Sequence, residues 1–110
     1  MPINFENFEK LTMGDEDFAR DLIQIYIKEL EQYASEVDKF IQDNDLHKFR
    51  QKNHDLRSIV KTLSLDTVID LQEKLKSAVI HHLPTQELHL QGDEMKKVLK
   101  DAVGELKERL

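Results

Sequence analysis

Apolar residues recur along most of the chain at the three- and four-residue spacing of a helix that is buried on one side. The longest such pattern follows Gly14 and continues for more than six turns, which predicts a helix over about residues 15–42. The run Asp15 to Asp17 places three carboxylates in its first turn, where the helix dipole favours negative charge. Residues 3–11 predict a short lead-in helix across one end of the fold through four apolar positions, Ile3, Phe5, Phe8 and Leu11.

A second long helix is predicted after Asp45, a good N-cap residue, and Asn53 interrupts its inward apolar face. Ser64 and Asp66 then offer two capping side chains at a short break. The next helix is predicted from Thr67 to Leu83, because Pro84 cannot continue it.

The start of the last helix has two interpretations. Thr85 could cap it directly after Pro84, or Asp93 could cap it after Gly92. In either case its apolar positions are Met95, Val98, Leu99, Val103 and Leu106. Amphipathic helices with short connections predict an all-α fold, an antiparallel four-helix bundle with a short N-terminal lead-in helix, and a single domain over residues 1–110.

Composition excludes several classes of protein. The chain has no cysteine, and therefore no disulfide, thiolate metal site or cysteine nucleophile. Its three glycines stand alone, so no phosphate-binding loop for ATP is present. No apolar run is long enough for a membrane span and no signal peptide begins the chain, so we expect a cytoplasmic protein. His81, His82 and His89 lack metal-ligand spacing, and we expect no metal site.

The net charge of −6 argues against binding to nucleic acid or to anionic membranes, but the charge is unevenly distributed. Residues 45–62 contain five basic and two acidic residues, a local charge of +3, which leaves −9 for the rest of the chain. One predicted helix is therefore basic within an acidic protein.

The basic residues of this helix lie around a histidine. Relative to His54, one face carries Arg50 at i−4, Arg57 at i+3, Ser58 at i+4 and Lys61 at i+7. Neighbouring cations disfavour the charged imidazolium, which leaves one ring nitrogen free as a nucleophile, and they stabilise a dianion placed on it. A histidine among basic residues is more often simple solvated surface, and charge and spacing alone favour that interpretation.

Residues 53–75, NHDLRSIVKTLSLDTVIDLQEKL, resemble the histidine-containing phosphotransfer (HPt) domains of two-component phosphorelays. The family has an apolar residue, a basic residue and a small residue two, three and four positions after its histidine, then an apolar residue and glycine nine and ten positions after it. The corresponding residues here are His54, Leu56, Arg57, Ser58, Leu63 and Ser64. Residues 12–30 also resemble the family's opening helix, and the likeness covers roughly residues 5–80. Two residues depart from the pattern, since Ser58 and Ser64 stand where glycine is usual.

The resemblance implies that His54 accepts a phosphoryl group from a receiver-domain aspartate or a sensor or hybrid histidine kinase and passes it to a response-regulator receiver. It implies that Arg57 steadies the phosphoryl oxygens, that Arg50 and Lys61 give electrostatic support, and that the small Ser58 leaves room for the partner. Magnesium is expected on the receiver and no cofactor on this chain, which we expect to be a monomeric carrier without kinase activity of its own.

Two alternatives remain at this stage. The chain could bind a receiver without transferring phosphoryl groups, or it could be an unrelated helical adaptor in which His54 is incidental. The apolar arc that contains Ile23, Ile25, Tyr26 and Ile27 is wider than one core stripe. Contact with two neighbouring helices is the favoured explanation, and a receiver-docking patch is the other. The Met1 start and the length favour a free-standing chain over one domain of a hybrid kinase.

Overall fold

A computed structural model describes residues 3–110 of the chain. Within that range the regular structure is entirely helical, which confirms the predicted all-α class. None of these helices combines the length and apolar content that a bilayer span requires. The elements are α1 (Glu6–Thr12), α2 (Glu16–Asp43), α3 (Leu46–Thr62), α4 (Asp66–Ile80) and α5 (Thr85–Glu108).

Two aspartates set the starts of the helices that carry most of the candidate chemistry. The Asp15 carboxylate accepts a hydrogen bond from the Phe18 amide (3.0 Å), and α2 begins at Glu16, directly after this cap. Asp45 caps α3 in the same way by accepting from the Lys48 amide (3.0 Å). Between α2 and α3 the chain turns at Asn44, whose φ of 53° is left-handed. The predicted long helix and the predicted Asp45 cap are therefore confirmed.

The structure corrects three details around α4 and α5. Leu65 occupies the N-cap of α4 without a side-chain cap, so neither Ser64 nor Asp66 performs the capping expected of it. The helix ends at Ile80 rather than Leu83, because His82 adopts a left-handed φ of 52° and the chain turns before Pro84.

The start of α5 removes one alternative. Pro84 occupies its N-cap and no side chain caps it, so Thr85 is the first helical residue and not the cap, and the helix runs through Gly92 without a break. The start at Asp93 was therefore wrong. Gly92 is tolerated inside the helix because it packs closely against α2, where a side chain would meet Ile41.

Each of the four long helices packs against two others. α2 contacts α3 and α5, and α4 also contacts α3 and α5, while the short α1 packs on α2. This arrangement is elongated, with extents of 47 × 22 × 19 Å. Removing apolar side chains from water between the helices is the main force that holds them together. The side chains with no exposed surface are Leu30, Val37, Val60, Leu63, Val68, Met95, Leu99 and Leu106.

The segment before α2 is fastened to the end of α5. The Ile3 amide donates to the Glu105 carboxylate (3.0 and 3.1 Å), and the Arg109 guanidinium lies 3.7 Å from the centre of the Phe5 ring. Phe8 is buried in edge contact with Tyr26 of α2. These contacts agree with the expected packing of the lead-in across one end. Leu11 differs, since 48% of it is exposed.

Candidate functional site

Helix α3 buries one face and exposes the opposite one. Phe49, Leu56, Ile59 and Val60 are buried, and Phe49 packs edge-on against Phe40 of α2 with ring centres 5.5 Å apart. This packing leaves the predicted functional residues at the surface. His54, Arg50, Arg57, Ser58 and Lys61 are all exposed.

The cations around His54 are not committed to acidic partners. Within the described residues, the side chains of Arg50, Arg57 and Lys61 form no ion pair or hydrogen bond. Other basic residues do: Lys96 lies 2.8 Å from Asp38, and Lys76 lies 2.9 Å from Glu73. The positive charge on the exposed face of α3 is therefore available to an anion.

A cleft between α3 and α4 adjoins the exposed face of α3. Its volume is about 230 Å³, and Arg57 and Lys61 reach its wall from the His54 side. The other lining residues come from both helices and are Asn53, Ile69, Gln72 and Glu73. Cationic and amide side chains on one wall suit the oxygens of an anion.

The opposite side of α3 has a different charge. A narrow groove of about 40 Å³ separates α2 from α3 there, and it is lined by three carboxylates and Lys52. His54 thus stands between a cationic side that faces α4 and a more acidic side that faces α2. The carboxylates are Glu29, Glu36 and Asp55.

A polar network of two buried residues and the half-buried Asn53 lies beneath this part of α3. The Tyr33 hydroxyl of α2 donates to Asn53 Oδ1 (2.5 Å), and it accepts from Gln72 Nε2 of α4 (3.4 Å). Tyr33 and Gln72 are 3% and 7% exposed. Burial raises the pKa of Tyr33 well above its usual range, although the Gln72 hydrogen bond lowers it in part.

This network is the part of the region that sequence patterns did not reveal. Tyr33 and Gln72 appeared only as members of helical stretches. Asn53 was the available signal, because an amide on an inward apolar face requires a hydrogen-bonding partner when it is buried. Its partners could not be named without knowing how the helices pack.

The wide apolar arc of α2 is resolved by the packing. Ile23, Tyr26 and Ile27 are buried, as contact with neighbouring helices predicts, but Ile25 remains 53% exposed. Phe18, at i−7 on the same stripe, is 41% exposed, and Met13 in the preceding turn is 87% exposed. Ile25 lies one turn from Glu29, which borders the α2–α3 groove, so this apolar stripe leads towards α3.

Two histidines outside α3 lie close to polar groups of their own or a neighbouring helix. His81 lies at the C-cap of α4 with Nδ1 2.7 Å from the Ser77 carbonyl oxygen, as expected for a polar residue at a helix end. His89 of α5 lies 3.9 Å from the Asp38 carboxylate of α2. Because His81 ends α4 and His89 lies on α5, neither residue belongs to the exposed face of α3 that carries His54.

Comparison with known proteins shows a distant similarity to a curated protein. No family model matches the chain, and no solved structure matches it significantly. Over 78 residues it is 22% identical to the phosphorelay intermediate protein YPD1 of Candida albicans. The match covers 68% of this chain and 42% of that protein, so the chain corresponds to less than half of the curated relative's length. The sequence is thus distantly and partially similar to a phosphorelay intermediate.

Proposed function

We propose that this protein is a phosphorelay intermediate, built as an antiparallel four-helix bundle of the HPt type, that carries a phosphoryl group on His54. The observation that carries the proposal is the exposed histidine on α3, with three cations on the same face whose side chains have no acidic partner among residues 3–110. The distant similarity to a phosphorelay intermediate supports it.

The chemistry requires a nucleophile and charge neutralisation. With Nδ1 protonated, the Nε2 lone pair of His54 attacks the phosphorus of an aspartyl phosphate on a receiver domain. The N–P bond forms as the acyl P–O bond breaks, and the aspartate carboxylate leaves. The reverse step, to a second receiver, returns the ring to its starting form. Phosphoryl transfer depends mainly on such positioning and on electrostatic stabilisation.

The exposed cations have distinct roles in this proposal. Arg57 is one turn from His54 and steadies the phosphoryl oxygens through its planar, multidentate guanidinium. Arg50 and Lys61 supply further positive charge. The receiver contributes the Mg²⁺ that its own aspartate requires, and a receiver phosphorylated by a sensor or hybrid histidine kinase is the proposed donor.

The exposed apolar stripe of α2 is the proposed contact surface for the receiver. Phe18 and Ile25 of α2, together with Met13 in the preceding turn, present apolar side chains that the bundle itself does not bury. A partner that contacts this stripe and the exposed cations of α3 at the same time requires an apolar region and an acidic region.

Phosphotransfer from a radiolabelled phospho-receiver in the presence of Mg²⁺ tests the proposal. We expect the wild-type chain to acquire label that is labile in acid and stable in base, as a phosphohistidine is. His54→Gln should remain unlabelled. His47→Gln is the matched control, because His47 is also exposed on α3, and it should be labelled like the wild type. Equal labelling of His54→Gln and the wild type would refute the site.

A second candidate is a module that binds a receiver without transferring phosphoryl groups. The specific observation in its favour is Ser58, whose exposed side chain stands one turn from His54 where the HPt pattern has glycine. Its hydroxymethyl group occupies space beside the ring. Saturable binding of the receiver by the wild type, with no label on His54, would establish this alternative.

A further inference from the structure

We propose that Tyr33, Asn53 and Gln72 form a positioning network that sets the rotation of α3 about its own axis, and with it the direction in which His54 faces. This inference rests on the proposed phosphotransfer function for its consequence, but its structural part can be tested separately. None of the three residues lies on the exposed face of α3 that carries His54, so their role is to position and not to react.

The network joins three helices at one hydroxyl group. Tyr33 of α2 donates to Asn53 Oδ1 on α3, and Gln72 of α4 donates to Tyr33. Asn53 is the residue directly before His54, about 100° from it around the helix. The hydrogen bond therefore holds α3 from the inside at the level of the functional histidine.

Apolar packing alone would hold this rotation less firmly. Leu56, Ile59 and Val60 bury α3 through contacts that do not depend strongly on direction. A hydrogen bond weakens steeply when its angle departs from linearity, so it selects one rotation of the helix. The low exposure of Tyr33 and Gln72 adds to this selection, because water cannot easily replace a lost partner.

The rotation matters because His54 is at the surface of the helix, far from the axis. A side chain about 5–6 Å from the axis moves by about 2 Å when the helix rotates by about 20°. Misplacement of a reacting group by about 1 Å can slow a reaction by about two orders of magnitude. Arg57 moves with the same rotation, so the nucleophile and its cation are set together.

Two members of the network also line the α3–α4 cleft, one from each helix. Asn53 and Gln72 line that cleft together with Arg57 and Lys61. Rotation of α3 would therefore change the cleft and the His54 face at the same time. This coupling distinguishes the network from a hydrogen bond that contributes only to stability.

The test compares two tyrosine-to-phenylalanine substitutions on α2. Tyr33→Phe removes the central hydroxyl of the network. Tyr26→Phe is the matched control, because Tyr26 is 6% exposed on the same helix and its hydroxyl forms no hydrogen bond within the described residues. The measurements are phosphotransfer from a phospho-receiver over a range of receiver concentrations and the ring-nitrogen NMR signals of His54 in the unphosphorylated protein.

We expect Tyr33→Phe to lower the transfer rate at saturating receiver by about fivefold or more, with a change of less than about twofold in the half-saturating concentration. The His54 ring signals should shift or double in Tyr33→Phe and remain unchanged in Tyr26→Phe. The proposal is overturned if both variants match the wild type in rate and ring signals. If the wild type accepts no phosphoryl group, the proposed function fails, and the ring signals alone decide the positioning role.

A double variant tests whether the residues act as one unit. Asn53→Leu combined with Tyr33→Phe should slow transfer no more than the stronger single substitution, because either change already breaks the network. Independent effects that multiply in the double variant would contradict a shared network. Should Asn53→Leu fail to fold, Tyr33→Phe with its Tyr26→Phe control still decides the question.

Discussion

Gly92 of α5 lies directly against Ile41 of α2. A Cβ atom at position 92 would be 2.7 Å from Ile41 Cδ1 and 3.3 Å from Val37 Cγ1, closer than side chains normally approach. Gly104, just over three turns further along the same helix, has no atom within 4 Å of its corresponding position. Close packing against α2 therefore requires a glycine at position 92, whereas no neighbouring helix requires one at position 104.

This difference predicts opposite effects on stability. Gly104→Ala should raise the free energy of unfolding by about 0.5–1 kcal/mol, because alanine has the higher helix propensity and meets no neighbour. Gly92→Val should lower it by about 1–3 kcal/mol, because the added methyl groups must displace Ile41 and Val37. Urea unfolding measures both. The packing described here would be contradicted if Gly92→Val were as stable as the wild type.

Ser64 adopts a left-handed backbone conformation, with φ of 57°, between α3 and α4. Glycine accepts this conformation without the steric cost that a Cβ atom carries. We therefore expect Ser64→Gly to stabilise the protein by up to about 1 kcal/mol. This value is what remains of the relieved strain after the greater entropy of glycine in the unfolded chain is subtracted. Ser35→Gly, in the interior of α2, should be destabilising by about 0.5 kcal/mol and serves as the control in thermal unfolding.

The raised pKa of Tyr33 predicts a loss of stability in alkali. The unfolded chain releases the tyrosine proton near pH 10, whereas the buried folded side chain retains it to higher pH. The contribution of the protonated Tyr33 side chain to the free energy of unfolding is thus fully present below about pH 10 and is lost as the pH rises above it. Tyr33→Phe should lose less stability than the wild type between about pH 9 and pH 11. Urea unfolding of both proteins at the two pH values measures these losses. If Tyr33 ionised normally, the wild type and Tyr33→Phe would lose the same amount of stability.

Arg57 should matter more to transfer than another cation of α3. We expect Arg57→Ala to slow phosphotransfer by about tenfold or more, since it removes a donor from the developing phosphoryl charge. Lys48→Ala removes one positive charge from the same helix away from the His54 face, and its effect should stay within about twofold. The measurement is the transfer rate at saturating receiver. Equal rates for Arg57→Ala and Lys48→Ala would contradict the role assigned to Arg57.

The apolar stripe of α2 should contribute to receiver binding. Ile25→Ser is expected to weaken binding by about threefold to tenfold, because it removes exposed apolar area from the proposed contact surface. Leu90→Ser is the control, as Leu90 is 61% exposed on α5 outside this stripe. Titration calorimetry with a receiver domain distinguishes them. Equal affinities for the two variants would remove Ile25 from the interface.

Local signals in the sequence were sufficient for much of the fold. The apolar period of α2 predicted residues 15–42, and the helix spans Glu16–Asp43. Asp45 was identified as a cap because its role depends only on the amide three residues later. Periodicity also placed His54 on a surface face, since the buried and exposed sides of α3 follow from its own residues.

Features that depend on another helix were not predictable in this way. Gly92 suggested a break, but its fit against Ile41 allows α5 to continue. The link between Tyr33 and Gln72 joins residues 39 positions apart, and no spacing rule connects them. Exposure of Ile25 was likewise undecided until the neighbours of α2 were known. Which face meets which partner is a property of packing, not of periodicity.

The opposite charges on the two sides of α3 have a consequence for the encounter with a partner. Arg57 and Lys61 lie towards α4, while Glu29, Glu36 and Asp55 lie towards α2, so a lateral electric dipole crosses His54. At physiological ionic strength its field extends about 8 Å into the solvent. An acidic surface that enters this layer experiences a torque as well as an attraction. We expect this torque to turn its acidic side towards Arg57 and Lys61 before the two surfaces touch.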